Sequence, residues 1–176
     1  QTKDDGTHFG QSIGRGSVEK TGAGTTTLSP QAAGGNTYTG GTTIYEGALA
    51  ISNDNALGDT TGDLTLDGGT LQLNSSLILS TDRTITVDTN GGAINTLAGV
   101  TGTIEQGLTG SGNFSKTGAG TLILNGTNNN SGENWVYGGT LQINNTGAGN
   151  LAGQTHIANG ARVEGTGAFG DAGVFN

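Results

Sequence analysis

Only a few residues in this 176-residue chain have types and spacing that could do chemistry, and each group points to a different chemistry. Asp63, Asp67 and Asp88, with Arg83 nearby, are the one acidic patch of interest. Paired carboxylates and a basic partner would suit polysaccharide hydrolysis or lyase chemistry if the fold held a pair about 5–9 Å apart. Aspartate is simply common at strand ends, so the same residues read foremost as solvated turn positions. His8 and His156 are too few and too far apart in sequence for a metal cluster or a triad. Gly58-Asp59 and Asp67-Gly68-Gly69 miss the GGxGxDxUx calcium nonapeptide. With no cysteine, disulfide scaffolds, zinc ribbons and thiol nucleophiles fall away. No cofactor or metal is expected.

Two glycine motifs invite a phosphate-binding reading. KTGAGT occurs as Lys20, Thr21, Gly22, Ala23, Gly24, Thr25 and again as Lys116, Thr117, Gly118, Ala119, Gly120, Thr121. It lacks the GxxxxGK[ST] spacing and no helix follows, so it reads as a tight turn between strands. Residues 165–170 satisfy GxGxxG, but open no helix and leave too little chain for a dinucleotide unit. The aromatic signal is different in kind. Alternation with Val136 puts Trp135 and Tyr137 on the outside, and Tyr45 is the counterpart of Tyr137. Such rings present an apolar face with a polar tip, suited to a partner or glycan contact. The competing reading folds residues 126–132 back over Trp135 as a covering loop.

The elements that must position these residues follow from composition and repetition. Glycine supplies 36 residues and proline one. So much glycine excludes a helical bundle, and the missing Gly-X-Y period excludes collagen. Charged residues are 11%, and threonine, asparagine and glycine are interleaved with Leu, Ile and Val. That mixture suits short strands and many tight turns. The net charge is −8 and the six cations are scattered singly, which excludes nucleic acid. A chain that starts at Gln1 and has no methionine reads as a piece of a longer precursor.

The chain repeats itself. Residues 14–29 (GRGSVEKTGAGTTTLS) match residues 110–125 (GSGNFSKTGAGTLILN) at a shift of 96. Residues 42–52 (TTIYEGALAIS) match 134–144 (NWVYGGTLQIN) at 92, the missing four residues coming from the turn-rich stretch 30–41. Inside this lies a shorter period, a glycine followed by apolar residues at +2 and +4. It starts at Gly24, Gly47, Gly69, Gly92, Gly120 and Gly139, with intervals of 23, 22, 23, 28 and 19. Strands so short cannot stand alone, but coils of about 22 residues can stack. We therefore expect an all-β fold, a right-handed parallel β-helix of about eight coils and roughly 40 Å. Leu, Ile and Val line its bore, and threonine and asparagine ladders face outward. Neither end offers a capping helix, so residues 1–176 read as a single segment of a longer rod.

Residues 110–144 (GSGNFSKTGAGTLILNGTNNN…GGTLQIN) resemble the passenger-associated repeat of bacterial autotransporters, the type V secreted surface proteins, and residues 14–52 resemble a second copy. An insertion (Pro30-Gln-Ala-Ala-Gly-Gly) lengthens the loop of the first copy, and Gly132-Glu133-Asn134-Trp135 replaces the Thr-Gly-Gly-Thr-Thr stretch of the second. The resemblance implies a β-helical passenger exported through the periplasm and secreted or displayed on the bacterial surface by a C-terminal β-barrel translocator. It implies a non-enzymatic stalk with an adhesive, self-associating or virulence surface, its partner a host-cell receptor, a glycan or another rod. The first alternative is a secreted toxin or receptor-binding effector on the same rod, and the second a β-helix carbohydrate-active enzyme.

Overall fold

The computed structural model describes residues 14–29, 34–145 and 151–167, and the backbone of 174–175. Three flat faces of parallel strands wrap one bore. The first face stacks β1 (Val18–Lys20), β3 (Thr42–Ile44), β5 (Leu64–Leu66), β8 (Ile85–Val87) and β11 (Leu108–Gly110). The second stacks β2 (Thr25–Thr27), β4 (Ala48–Ile51), β6 (Thr70–Leu73), β9 (Gly92–Thr96), β12 (Phe114–Thr117), β14 (Asn134–Val136), β16 (Thr155–Ile157) and β18 (Val174–Phe175). The third stacks β7 (Leu77–Leu79), β10 (Thr101–Ile104), β13 (Thr121–Leu124), β15 (Thr140–Ile143) and β17 (Arg162–Glu164). The result is an all-β parallel solenoid of about six turns. At a rung spacing of ~4.8 Å, its eight-stranded face is roughly 34 Å long.

Each strand points alternate residues into the bore, so one apolar set serves both packing and register. Leu49, Leu71 and Ile94 are successive register partners and all are buried. Leu122 and Leu141 do the same on the third face. Fully burying such a side chain contributes about 1.5–3 kcal/mol. Outward positions carry the expected ladders. Thr43, Thr65, Thr86 and Thr109 form one column on the first face. On the third, Asn144 Nδ2 donates to Asn125 Oδ1 (3.1 Å), and Asn125 Nδ2 to Glu105 Oε1 (3.0 Å).

The two repeat copies do not lie on the same faces. The first puts its strand pairs on the first and second faces, through β1/β2 and β3/β4. The second puts them on the second and third, through β12/β13 and β14/β15. Coils of about 22 residues divide the 96-residue shift into four turns and about a third of another. The second copy is therefore turned by one face. The irregular interval of 28 between Gly92 and Gly120 marks the passage from the second face to the third.

Where a face lacks strands, backbone stacking continues. Early in the chain the third face is built from residues 34–40 and a 3₁₀ helix over Asp54–Leu57. Asn36 N donates to Asn55 O (2.9 Å), Asn36 Nδ2 to Ala56 O (2.7 Å), and Asp59 N to Tyr38 O (2.9 Å). Tyr38 is fully buried there, its hydroxyl 2.6 Å from Thr42 Oγ1, and burial raises its pKa. Late in the chain the first face continues as loops, with Asn129 N donating to Leu108 O (2.7 Å) and Ser131 N to Gly110 O (2.9 Å).

Candidate functional site

The KTGAG corners come first, because the repeats are built on them. Strand alternation sends Lys20 inward beside Ile44 and Lys116 inward beside Val136, and both side chains are fully buried. Each ammonium fills the inside of its own turn. Lys20 Nζ donates to the carbonyls of Thr21 (2.8 Å), Gly22 (2.6 Å) and, one coil on, Glu46 (3.3 Å). Lys116 Nζ repeats this with Thr117 (2.7 Å), Gly118 (2.9 Å) and Gly138 (3.1 Å). Three donors meet three acceptors, which is what a buried ammonium requires. Burial nevertheless pushes Lys116 down to about 8.

The second half of each repeat closes this corner from the next coil. Gly47 and Gly139 have φ of +64° and +63°. A Cβ on Gly47 would enter the carbonyls of Gly22 and Gly24, and one on Gly139 those of Gly118 and Gly120. The motif is a tight turn, as the spacing indicates, wound round a lysine that the sequence reading left inside an undivided turn. A signal was available, since Glu19 faces out and Lys20 must then face in.

The acidic patch assembles without the basic partner that chemistry would need. Leu66 and Val87 are register partners, which places Asp67 and Asp88 on neighbouring coils just beyond the strands. Asp67 Oδ1 accepts from Asn90 Nδ2 (2.8 Å), and Asp88 Oδ1 from Thr89 N (2.8 Å). Arg83 does not join them. Its side chain is fully buried, with Nε 3.1 Å from Asp54 Oδ1, Nη1 donating to Leu57 O (3.1 Å) and Gly62 O, and Nη2 donating to Gly58 O (3.2 Å). A guanidinium with four bonds to one loop is a structural clamp, because its planar fork satisfies carbonyls that no strand pairs. Among the described residues no three His, Asp or Glu gather as a metal site. His8 lies outside the described residues, as do residues 168–170 of the GxGxxG match.

The aromatic residues divide. Tyr45 is 40% exposed beside β3 on the first face, whereas Trp135 lies in β14 on the second and Tyr137 directly follows that strand, so Tyr45 does not join them. Trp135 is half-buried and Tyr137 is 56% exposed. Their ring centroids are 5.9 Å apart with planes 12° from parallel. Residues 126–132 do not fold over Trp135, because they run along the first face above β11. Its neighbour is instead His156, the register partner on β16, stacked at 3.8 Å and 11°. His156 faces outward, as alternation with Thr155 and Ile157 predicts, and its Nε2 lies 3.6 Å from Glu133 Oε2. Sequence reasoning missed this stack because residues 135 and 156 meet only through the coil register.

Comparison with known proteins gives the context. The family model described as Passenger-associated-transport-repeat matches residues 18–51 and 114–143. The adhesin BmaC autotransporter of Brucella suis biovar 1 (strain 1330) is 42% identical over 132 residues, a stretch that is 74% of this chain and 4% of that protein. No solved structure matches the chain.

Proposed function

Because the chain belongs to the passenger domains of autotransporters, we propose that it is an adhesive, non-enzymatic stretch of a surface-displayed rod. The observation that carries this is the 42% identity to an autotransporter adhesin. In the precursor a C-terminal β-barrel translocator delivers the rod across the outer membrane, and the rod stays displayed or is released. The winding is right-handed, since crossovers between parallel strands almost always are, and at about 22 residues per coil the full 176 residues would make about eight coils. A structural role for the ionisable residues supports the non-enzymatic reading. Arg83 and Lys116 are spent on backbone carbonyls, and Asp67 and Asp88 on turn donors. Partners are a host-cell receptor or glycan at the aromatic residues, or a second rod along the threonine and asparagine ladders.

The test is to splice residues 1–176 into a displayed passenger on a non-adhesive bacterium, then measure adherence to host cells and settling of the bacteria separately. Adherence above the parent strain supports a host partner, and settling supports contact between rods. Surface display with neither outcome would remove the adhesive reading.

A further inference from the structure

From the aromatic stack we infer a neutral-glycan subsite on the second face, an inference that rests on the adhesive reading and names its ligand class. Trp135 and His156 are register partners stacked nearly parallel, so the Trp135 ring plane lies across the rod and its other face looks toward β12. Tyr137 stacks with it, ring centroids 5.9 Å apart and planes only 12° from parallel, so the two rings make an aromatic plate of nearly parallel faces. On β12 the residue opposite Trp135 is Ser115, and the next along is Thr117. Both are short, so the plate overhangs them as a ledge with hydroxyl groups at its foot. His156 backs the ledge from the other side and is itself held beside Glu133.

A ledge of this kind fits a pyranose ring. One side of such a ring presents C–H groups to an aromatic face, while its rim hydroxyls need polar partners, here Ser115 and Thr117. A peptide adding as a strand is disfavoured, because β14 is already paired on both sides by β12 and β16 and offers no free edge. An acidic ligand is disfavoured by Glu133 beside the ledge and by a net charge of −8. The chemistry that remains is an uncharged oligosaccharide laid along the rod against the ledge.

Trp135 is the single tryptophan of the chain, so its emission reports this site alone. The purified 176-residue chain is titrated with lactose and N-acetyllactosamine, with sialyllactose as the anionic comparison, and the same sugars are immobilised for direct binding. The inference expects a saturable emission change with the neutral sugars and at least roughly tenfold weaker binding of sialyllactose. Trp135→Ala and Tyr137→Ala should each weaken binding roughly tenfold, while Thr121→Ala on the third face leaves it unchanged. Tyr137→Ala decides the matter if Trp135→Ala lowers the melting temperature, because the Tyr137 side chain is mostly in solvent. Sugar binding unaltered by folded Tyr137→Ala, or no neutral sugar bound, overturns the subsite. Adherence that persists without sugar binding removes only the subsite, whereas sugar binding without adherence removes only the adhesive reading.

Discussion

At the residue scale, the buried cations are the least expected part of the molecule. Lys20 and Lys116 occupy positions where their register partners are Ile44 and Val136, so an apolar residue would fit the bore by volume. The KTGAG turn, however, aims its carbonyls inward, and only a donor with several protons can satisfy them. Lys116→Met leaves the carbonyls of Thr117, Gly118 and Gly138 without that donor. We expect a loss of about 2–4 kcal/mol, read as a lower denaturant midpoint; an unchanged midpoint would contradict the clamp. The pH dependence follows from the same residue. Folded Lys116 gives up its proton near 8, while the unfolded chain keeps it to about 10.5. In that window the unfolded state binds more protons, so stability rises with pH, and below it the contribution is flat. The stability of wild type relative to Lys116→Met should therefore increase between pH 7.5 and 10. A constant difference would argue against the depressed pKa. Nothing in the hydrophobic period announces these lysines. Only strict alternation through Val18-Glu19-Lys20 does, and it conflicts with the habit of placing lysine in water.

At the element scale, each repeat is a corner sealed by the following coil. Gly139→Ala must pay for a left-handed backbone and for a Cβ driven into the carbonyls of Gly118 and Gly120. Gly99→Ala has the same backbone sign (φ +76°) but open space around its Cβ. We expect Gly99→Ala to cost about 1 kcal/mol and Gly139→Ala at least about 3 kcal/mol, compared by thermal melting. Equal costs would mean that the corner gives way rather than seals. The short strands themselves were legible, because Leu64/Leu66, Ile85/Val87 and Leu122/Leu124 alternate cleanly and turns bound them. The strandless faces were not. Residues 53–62 and 125–133 stack through single backbone bonds, asparagine and Arg83, and they carry no period that a pattern could detect. The aromatic ledge shares that limit, since Trp135 and Tyr137 were legible from alternation on one strand while His156 arrives from the next coil.

At the scale of the whole molecule, contacts run chiefly between neighbouring rungs, so stability is close to a sum of coils and their interfaces. Removing residues 92–113 takes out β9, β10 and β11 together and brings Phe114 to the register position of Gly92. That deletion should keep a cooperative melt and β circular dichroism. Removing only residues 92–103 should not, because it turns every later strand off its face. Loss of folding in both would contradict the solenoid accounting. The same geometry explains why similar repeat sequences present different sides of the rod, a rotation visible only once 96 is divided by the coil length. It also limits what the proposed adhesion could use on any one face: the second face holds the aromatic residues, and the first a threonine column with Asp67 and Asp88 beside it. The most direct measurement of the central claim is the adherence of beads coated with the folded chain to host-cell monolayers, against beads coated with the same chain unfolded. The account predicts binding by the folded chain alone. Equal retention of both bead types, or of neither, would contradict it.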